Sequence, residues 1–170
     1  TRAPLRLHPP PRAAMFPPMP RSAAPTTRDE PAGPVEAAVL IVSYNSRHHL
    51  DDCLRSVLAS DDGEIGRHVV VVDNASRDGS AAFVREQFPQ VDLVELDGNL
   101  GFAGGNNAGL EHIRRRYPAT AYLALLNPDT IVRSGWLGEL VAYLRLHDDT
   151  AAVQAKLLMH PQSDRFNSAG

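Results

Sequence analysis

At 170 residues the chain has the length of one ordinary domain, enough to bury a core. Hydrophobic residues make up 43% and charged residues 22%, which excludes a disordered or collagen-like chain and fits a globular one. A formal net charge of -3 gives no overall attraction to nucleic acid, so that partner is set aside.

Residues 1–36 hold most of the prolines, including Pro9-Pro10-Pro11 and Pro17-Pro18, among Ala and Arg with no helix or strand period. A disordered tail is expected there. Its arginines, Arg2, Arg6, Arg12, Arg21 and Arg28, read as a solvated tail or as misassigned upstream translation, with peripheral contact to an anionic membrane as the alternative. No apolar stretch reaches the roughly 20 residues that cross a bilayer, and none near the start has a signal peptide's layout. A cytoplasmic location is expected, with the inner face of the membrane as its variant. The chain starts on Thr1 and stops on Gly170 without a terminating signal, and both ends read as cut.

From Ala37 onward, short runs of Val, Leu and Ile alternate with amphipathic stretches of about 10 to 15 residues, the pattern of βαβ units. The first run, Ala38-Val39-Leu40-Ile41-Val42, is apolar on both faces, as in a parallel sheet covered by helices. A helix over 47–59 follows, burying Leu50, Cys53, Leu54, Val57 and Leu58, with Asn45 or Ser46 as its cap. Cys53 is the only cysteine and reads as a small core residue. A strand at Val69-Val70-Val71-Val72 runs into Asp73-Asn74, and a helix over 79–88 buries Phe83, Val84 and Phe88 before Pro89 stops it. Residues 91–95 alternate like a strand near a sheet edge.

The stretch from Asn99 to Gly109 reads as a loop leading into a helix that carries Leu110 and Ile113 and ends on Arg114, Arg115 and Arg116, cations suited to the negative end of the helix dipole. A fourth strand is expected over 121–126. Ser134 is the expected cap of a last helix that buries Trp136, Leu137, Leu140, Val141 and Leu144, and a short strand over 152–158 closes the series.

In an open parallel sheet, ligands bind outside the carboxyl ends of the strands. Three polar clusters follow strands there: Ser43-Tyr44-Asn45, Asp73-Asn74-Ala75-Ser76 and Asn127-Pro128-Asp129. Singly, each also reads as a turn or a helix cap. A nucleotide-sugar site needs an acceptor for the base's imide N–H, a hard metal for the diphosphate and close backbone approach around the sugar. Asp73 suits the first, and Asp129 offers a carboxylate to Mg²⁺ or Mn²⁺. Asn127 offers a carbonyl oxygen to the metal or a bond to phosphate. Glycines 101, 104, 105 and 109 break the G-x-G-x-x-G dinucleotide pattern. They fit a loop that admits a sugar or phosphate, or close helix-to-sheet packing.

Four stretches, Val42-Ser43-Tyr44-Asn45, Val72-Asp73-Asn74-Ala75-Ser76-Arg77-Asp78-Gly79-Ser80, Asn99-Leu100-Gly101-Phe102-Ala103-Gly104-Gly105-Asn106-Asn107 and Leu126-Asn127-Pro128-Asp129, together resemble the successive motifs of family 2 glycosyltransferases. The resemblance is nearest to the bacterial rhamnosyltransferase-like branch and covers residues 37–170. It implies an α/β, Rossmann-like GT-A fold with a mostly parallel sheet, truncated at the C-terminus, and an enzyme of polysaccharide or cell-wall synthesis. The implied donor is a nucleoside-diphosphate sugar, dTDP-rhamnose or a UDP-sugar. The implied acceptor is a glycan or lipid-linked molecule, attacked with inversion.

By position, the nucleotide falls to Ser43, Tyr44, Asn45, Asp73, Asn74 and Ser76, with Tyr44 and Asp73 on the base and Asn74 ordering its loop. Donor sugar and diphosphate fall to Asn99, Gly101, Phe102, Gly104, Asn106, Asn107 and Asn127, and the Mg²⁺ or Mn²⁺ ion to Asp129. Asn127 stands where the wider family's D-x-D signature has its first acid. The catalytic base is expected downstream of Gly170, so the chain is expected to bind donor better than it turns it over. The alternative is a non-catalytic nucleotide-sugar-binding module. A nucleotidyltransferase is disfavoured, because Ser43-Tyr44-Asn45-Ser46 is not a glycine-rich, basic phosphate loop.

Overall fold

The computed structural model describes residues 37–159 and the backbone of residues 166–168. The proline-rich stretch expected to be disordered lies outside them. In chain order the elements are β1 (Ala37–Ser43), α1 (Arg47–Ala59), β2 (Arg67–Asp73), α2 (Ser80–Gln87), β3 (Asp92–Glu95), α3 (Gly101–Arg116), β4 (Tyr122–Leu126), α4 (Trp136–Leu146), β5 (Leu157–Leu158) and β6 (Phe166–Ser168).

The first four strands form one parallel sheet in the order β3-β2-β1-β4. β1 is buried along its whole length, which explains its unbroken apolar sequence. β3 lies at an edge, as its alternating sequence predicts. Alternate residues of β1 and β2 feed two cores. Val39, Ile41, Val69 and Val71 meet α1, α2 and α4 through Leu50, Leu54, Val57, Val84, Leu137 and Val141. Leu40, Val42, Val70 and Val72 meet α3 through Ile113 and Tyr117. Fully burying a side chain such as Leu50 or Leu54 contributes about 1.5–3 kcal/mol. Cys53 lies in the first core as expected, and Trp136 packs against it.

The expected loop from Asn99 to Gly109 is shorter than the sequence suggests: α3 already begins at Gly101. The apolar period becomes visible only at Leu110, because the buried positions in the first turns are glycines. A Cβ at Gly105 would lie 2.6 Å from Val42 Cγ1, and one at Gly109 would collide with Leu40 Cδ1. These two glycines let the helix lie close on β1 and β2.

Two expected caps are also replaced. Neither Ser46 nor Ser134 caps a helix with its side chain. Ser46 Oγ donates to Tyr44 O at 3.1 Å, and Ser134 Oγ accepts from Asp61 N at 3.0 Å. The acceptors come from neighbouring loops instead: Asp78 Oδ2 takes Arg47 N at 2.9 Å, and Asp62 Oδ1 takes Leu137 N at 3.1 Å. The last expected strand is reduced to Leu157–Leu158, the length over which it pairs, antiparallel, with Phe166–Ser168. No helix among the described residues is long and apolar enough to cross a membrane.

Candidate functional site

β1, β2 and β3 succeed one another in one direction across the sheet, whereas β4 lies on the other side of β1. The strand order therefore reverses between β1 and β4. In an open α/β sheet the crevice outside the carboxyl ends at that reversal is where ligands bind. β1 ends on Ser43, and β4 runs directly into Asn127-Pro128-Asp129. β2, on the other flank of β1, ends on Asp73, whose register partner is Ser43.

Hydrogen bonds tie the loops after β1 and β2 together. Asn74 N donates to Ser43 O at 2.8 Å, Asn45 N to Ser76 Oγ at 2.9 Å and Arg77 N to Asn45 Oδ1 at 2.8 Å. Asn45 and Ala75 take positive φ, 51° and 62°, a conformation that asparagine tolerates better than most residues. Asp78 closes the segment by accepting Ser80 N through Oδ1. Burial acts to raise the Asp78 carboxyl, and the hydrogen bonds from Ser80 Oγ and from Arg47 N and Ser80 N outweigh it, leaving the pKa below the ordinary carboxylate value. Tyr44 remains half exposed beside this braced pair of loops.

Beneath the two braced loops, the ends of β1 and β2 carry a buried polar pair that forms their floor. Asp73 is 4% exposed; its Oδ2 accepts Ser76 N at 2.9 Å, while its Oδ1 is buried without a hydrogen-bond partner among the described residues. Ser43 Oγ, on the adjacent strand end, is buried and unpartnered in the same way. Buried polar atoms are nearly always hydrogen-bonded, and an unmet one costs about 1–3 kcal/mol.

Asn74 links this floor to the start of α3. Its Oδ1 accepts Leu100 N at 2.8 Å, and its Nδ2 donates to Gly101 O at 3.0 Å. The Asn74 side chain is thus engaged with the loop. Asn99 Oδ1 accepts Gly101 N at 2.8 Å, and Gly101 turns the chain into the helix at φ 69°. Phe102, in the first turn of α3, is 61% exposed. Gly104 lies one turn in, where a Cβ would meet Leu100 Cβ at 2.5 Å. Asn106 Nδ2 donates to Phe102 O at 2.8 Å, and Asn107 is exposed. The structure therefore gathers Ser43, Asn45, Asp73, Asn74, Ser76, Asn99 and Gly101 into one hydrogen-bonded cluster, with Gly104, Asn106 and Asn107 on the helix beyond.

Asn127 and Asp129 stand apart from that cluster, in a turn closed by Thr130 N donating to Asn127 O at 3.2 Å. Both are exposed. Cys53 Sγ, in α1, donates to Asn127 O at 3.7 Å. Burial pushes the Cys53 thiol up to about 12, partly offset by the Thr130 amide and reinforced by the Asp129 charge. Among the described residues no three His, Cys, Asp or Glu side chains form a metal-holding group. A hard cation that takes most of its ligands from a diphosphate and water needs only one or two carboxylates, and the exposed Asp129 carboxylate meets that requirement. Two supports had no local signal in the sequence: Ser56, whose Oγ accepts Val132 N at 3.1 Å, and Asp62. Asp78 was legible in principle for α2, as an acid just before that helix, but not for α1, whose Arg47 N it accepts from 31 residues away.

An open parallel sheet with polar loops at its strand-order reversal defines an α/β protein of the doubly wound kind. The sequence profile of glycosyl transferase family 2 matches residues 38–166, and the chain belongs to that family. The succinoglycan biosynthesis protein ExoO of Rhizobium meliloti (strain 1021) is 32% identical over 107 residues, covering 62% of this chain and 29% of ExoO. The fold is that of GT-A glycosyltransferases. TarS 1-349 of S. aureus, solved in complex with UDP-GlcNAc, matches with a TM-score of 0.58 at 18% identity, over 74% of this chain and 39% of that one. The mannosyltransferase PcManGT of Pyrobaculum calidifontis, solved with GDP-Man and Mn²⁺, matches with a TM-score of 0.55 at 24% identity, over 83% of this chain and 39% of that one. The chain spans well under half the length of each of these relatives.

Proposed function

We propose that this chain is the donor-binding part of a glycosyltransferase that uses a nucleoside-diphosphate sugar and a divalent metal, Mg²⁺ or Mn²⁺. The observation that carries this reading is the buried, unpartnered Asp73 Oδ1 at the carboxyl end of β2. A carboxylate oxygen there is suited to accept the imide N–H of a nucleobase, and such a charged hydrogen bond discriminates strongly against a base lacking the donor. Tyr44 lies against the base, and Ser43, Asn45, Asn74 and Ser76 shape the nucleotide's seat. Asn99, Gly101, Phe102, Gly104, Asn106 and Asn107 face the sugar and diphosphate, with Asn127 on the phosphate.

Asp129 holds the metal together with the diphosphate oxygens. A metal bound there supplies Lewis-acid stabilisation of the negative charge that grows on the departing diphosphate. The transfer inverts the anomeric carbon and ends on a glycan or lipid-linked acceptor of polysaccharide synthesis. The carboxylate base that such a transfer needs belongs to the acceptor-binding part rather than to these donor-binding residues. On the resemblance to the rhamnosyltransferase-like branch, the donor is dTDP-rhamnose or a UDP-sugar. Support for a nucleotide donor and a metal comes from the neighbours, TarS with UDP-GlcNAc and PcManGT with GDP-Man and Mn²⁺.

Asp73→Asn tests the base contact. The amide can still accept Ser76 N through its oxygen, but it turns an N–H donor toward the base's own donor. Titration calorimetry with thymidine or uridine diphosphate is expected to show affinity at least about tenfold weaker than wild type, the scale of a lost charged hydrogen bond. Equal affinity in the two proteins removes Asp73 from the site.

A further inference from the structure

The turn that carries Asp129 is held from beneath by α1, through two side chains one helical turn apart. Cys53 Sγ donates to Asn127 O at 3.7 Å, at the start of the turn. Ser56 Oγ accepts Val132 N at 3.1 Å, just beyond the turn, and donates to Cys53 O at 2.8 Å. Serine is a poor residue for a helix interior, because its hydroxyl competes with the helical backbone. Here the hydroxyl makes such a bond, to Cys53 O, and with the same oxygen accepts Val132 N, bridging α1 to the post-β4 segment. α1 is a firm reference, since Leu50, Leu54 and Val57 are fully buried in the core. The turn itself has one internal backbone bond, Thr130 N to Asn127 O, and few backbone bonds leave a segment free to move.

We infer that Ser56, seconded by Cys53, is a positioning residue that fixes the Asp129 carboxylate for the metal–diphosphate. The inference rests on the reading of Asp129 as the metal-holding residue. Asp129 is the one carboxylate that this reading gives the metal, and Asn127 rides on the same turn, so metal affinity depends on how well this turn is held. Neither Ser56 nor Cys53 touches the ligand, and nucleotide binding without metal is independent of both.

The test is the affinity of the full chain for uridine and thymidine diphosphate, measured with Mn²⁺ and again with the metal chelated. The ratio of the two affinities is the metal enhancement. In wild type the enhancement is present, and in Asp129→Ala it is lost. In Ser56→Ala it falls roughly tenfold, the scale of one lost hydrogen bond in affinity, while metal-free affinity is unchanged. Ser56→Thr, which keeps the acceptor oxygen, restores it. Cys53→Ala lowers the enhancement in the same direction and decides the matter should Ser56→Ala fail to fold. Wild-type enhancement in Ser56→Ala or, failing that variant, in Cys53→Ala, with the loss in Asp129→Ala intact, overturns the positioning role alone. An enhancement that survives in Asp129→Ala, or is missing from wild type, overturns the reading of Asp129 and this inference with it.

Discussion

Gly109 illustrates what single residues contribute here. It is buried in α3, and a methyl group there would enter the space of Leu40 and Val72, two core residues of β1 and β2. Alanine favours a helix over glycine by roughly 0.5–1 kcal/mol, but overpacking a tight core costs about 1–3 kcal/mol. Gly109→Ala is therefore expected to lower the urea midpoint, whereas Gly98→Ala, with nothing within 4 Å of its added carbon, should leave it nearly unchanged. An unchanged midpoint for Gly109→Ala would mean that α3 can lift from the sheet at little cost. The sequence offered two uses for these glycines, and residue identity does not choose between them. Gly105 and Gly109 serve helix-to-sheet packing because α3 begins eight residues before Gly109, at Gly101, placing both on its buried face.

Elements with a strong apolar period were legible: β1, β2 and the buried face of α1 lie where Val, Ile and Leu placed them. Helix caps were not, because Asp78 and Asp62 reach helices α1 and α4 from distant loops, and a local search sees only neighbours in sequence. The opposite rim of the sheet hides a similar long-range group. His68 of β2 stacks on Tyr117 at 3.5 Å, and Asp92 of β3 accepts Tyr117 Oη at 2.5 Å and meets His112 Nε2 at 3.2 Å. Burial holds His68 below its ordinary value of 6.5, with the Arg116 charge adding to that and Asp92 opposing it. Burial acts to raise Asp92, but hydrogen bonds from His112 and Tyr117 bring it below 3.8. For His68 the unfolded chain takes up a proton first as pH falls, so stability declines from about 6.5 downward. The Asp92 contribution is present above its unfolded value and is lost as pH falls through the folded one. Thermal midpoints between about pH 8 and about pH 5 are expected to fall in the acid half of that range, and His68→Phe, which keeps the stack, should flatten the decline. A decline identical in both proteins would place the titrating group elsewhere.

Across the whole molecule, the reversal of strand order between β1 and β4 brings the ends of β1, β2 and β4 to one rim. The three polar clusters could be assigned to strand ends from the sequence alone, since each directly follows an apolar run. The bonds that brace them could not, because those joining Asn45 to Ser76, Asn74 to Leu100 and Ser56 to Val132 link residues 26 to 76 positions apart. The proposed binding of a nucleoside diphosphate with a divalent metal at this rim is tested most directly by the thermal midpoint of the full chain with Mn²⁺ and, in separate samples, thymidine, uridine or guanosine diphosphate. A ligand at ~100 times its Kd stabilises the native state by about 2.7 kcal/mol, a rise of roughly 5–10 °C for a chain of this size. Such a rise is expected with one of the three nucleotides, and only when the metal is present. A cooperative melt that none of them moves, with or without Mn²⁺, would contradict the proposed binding.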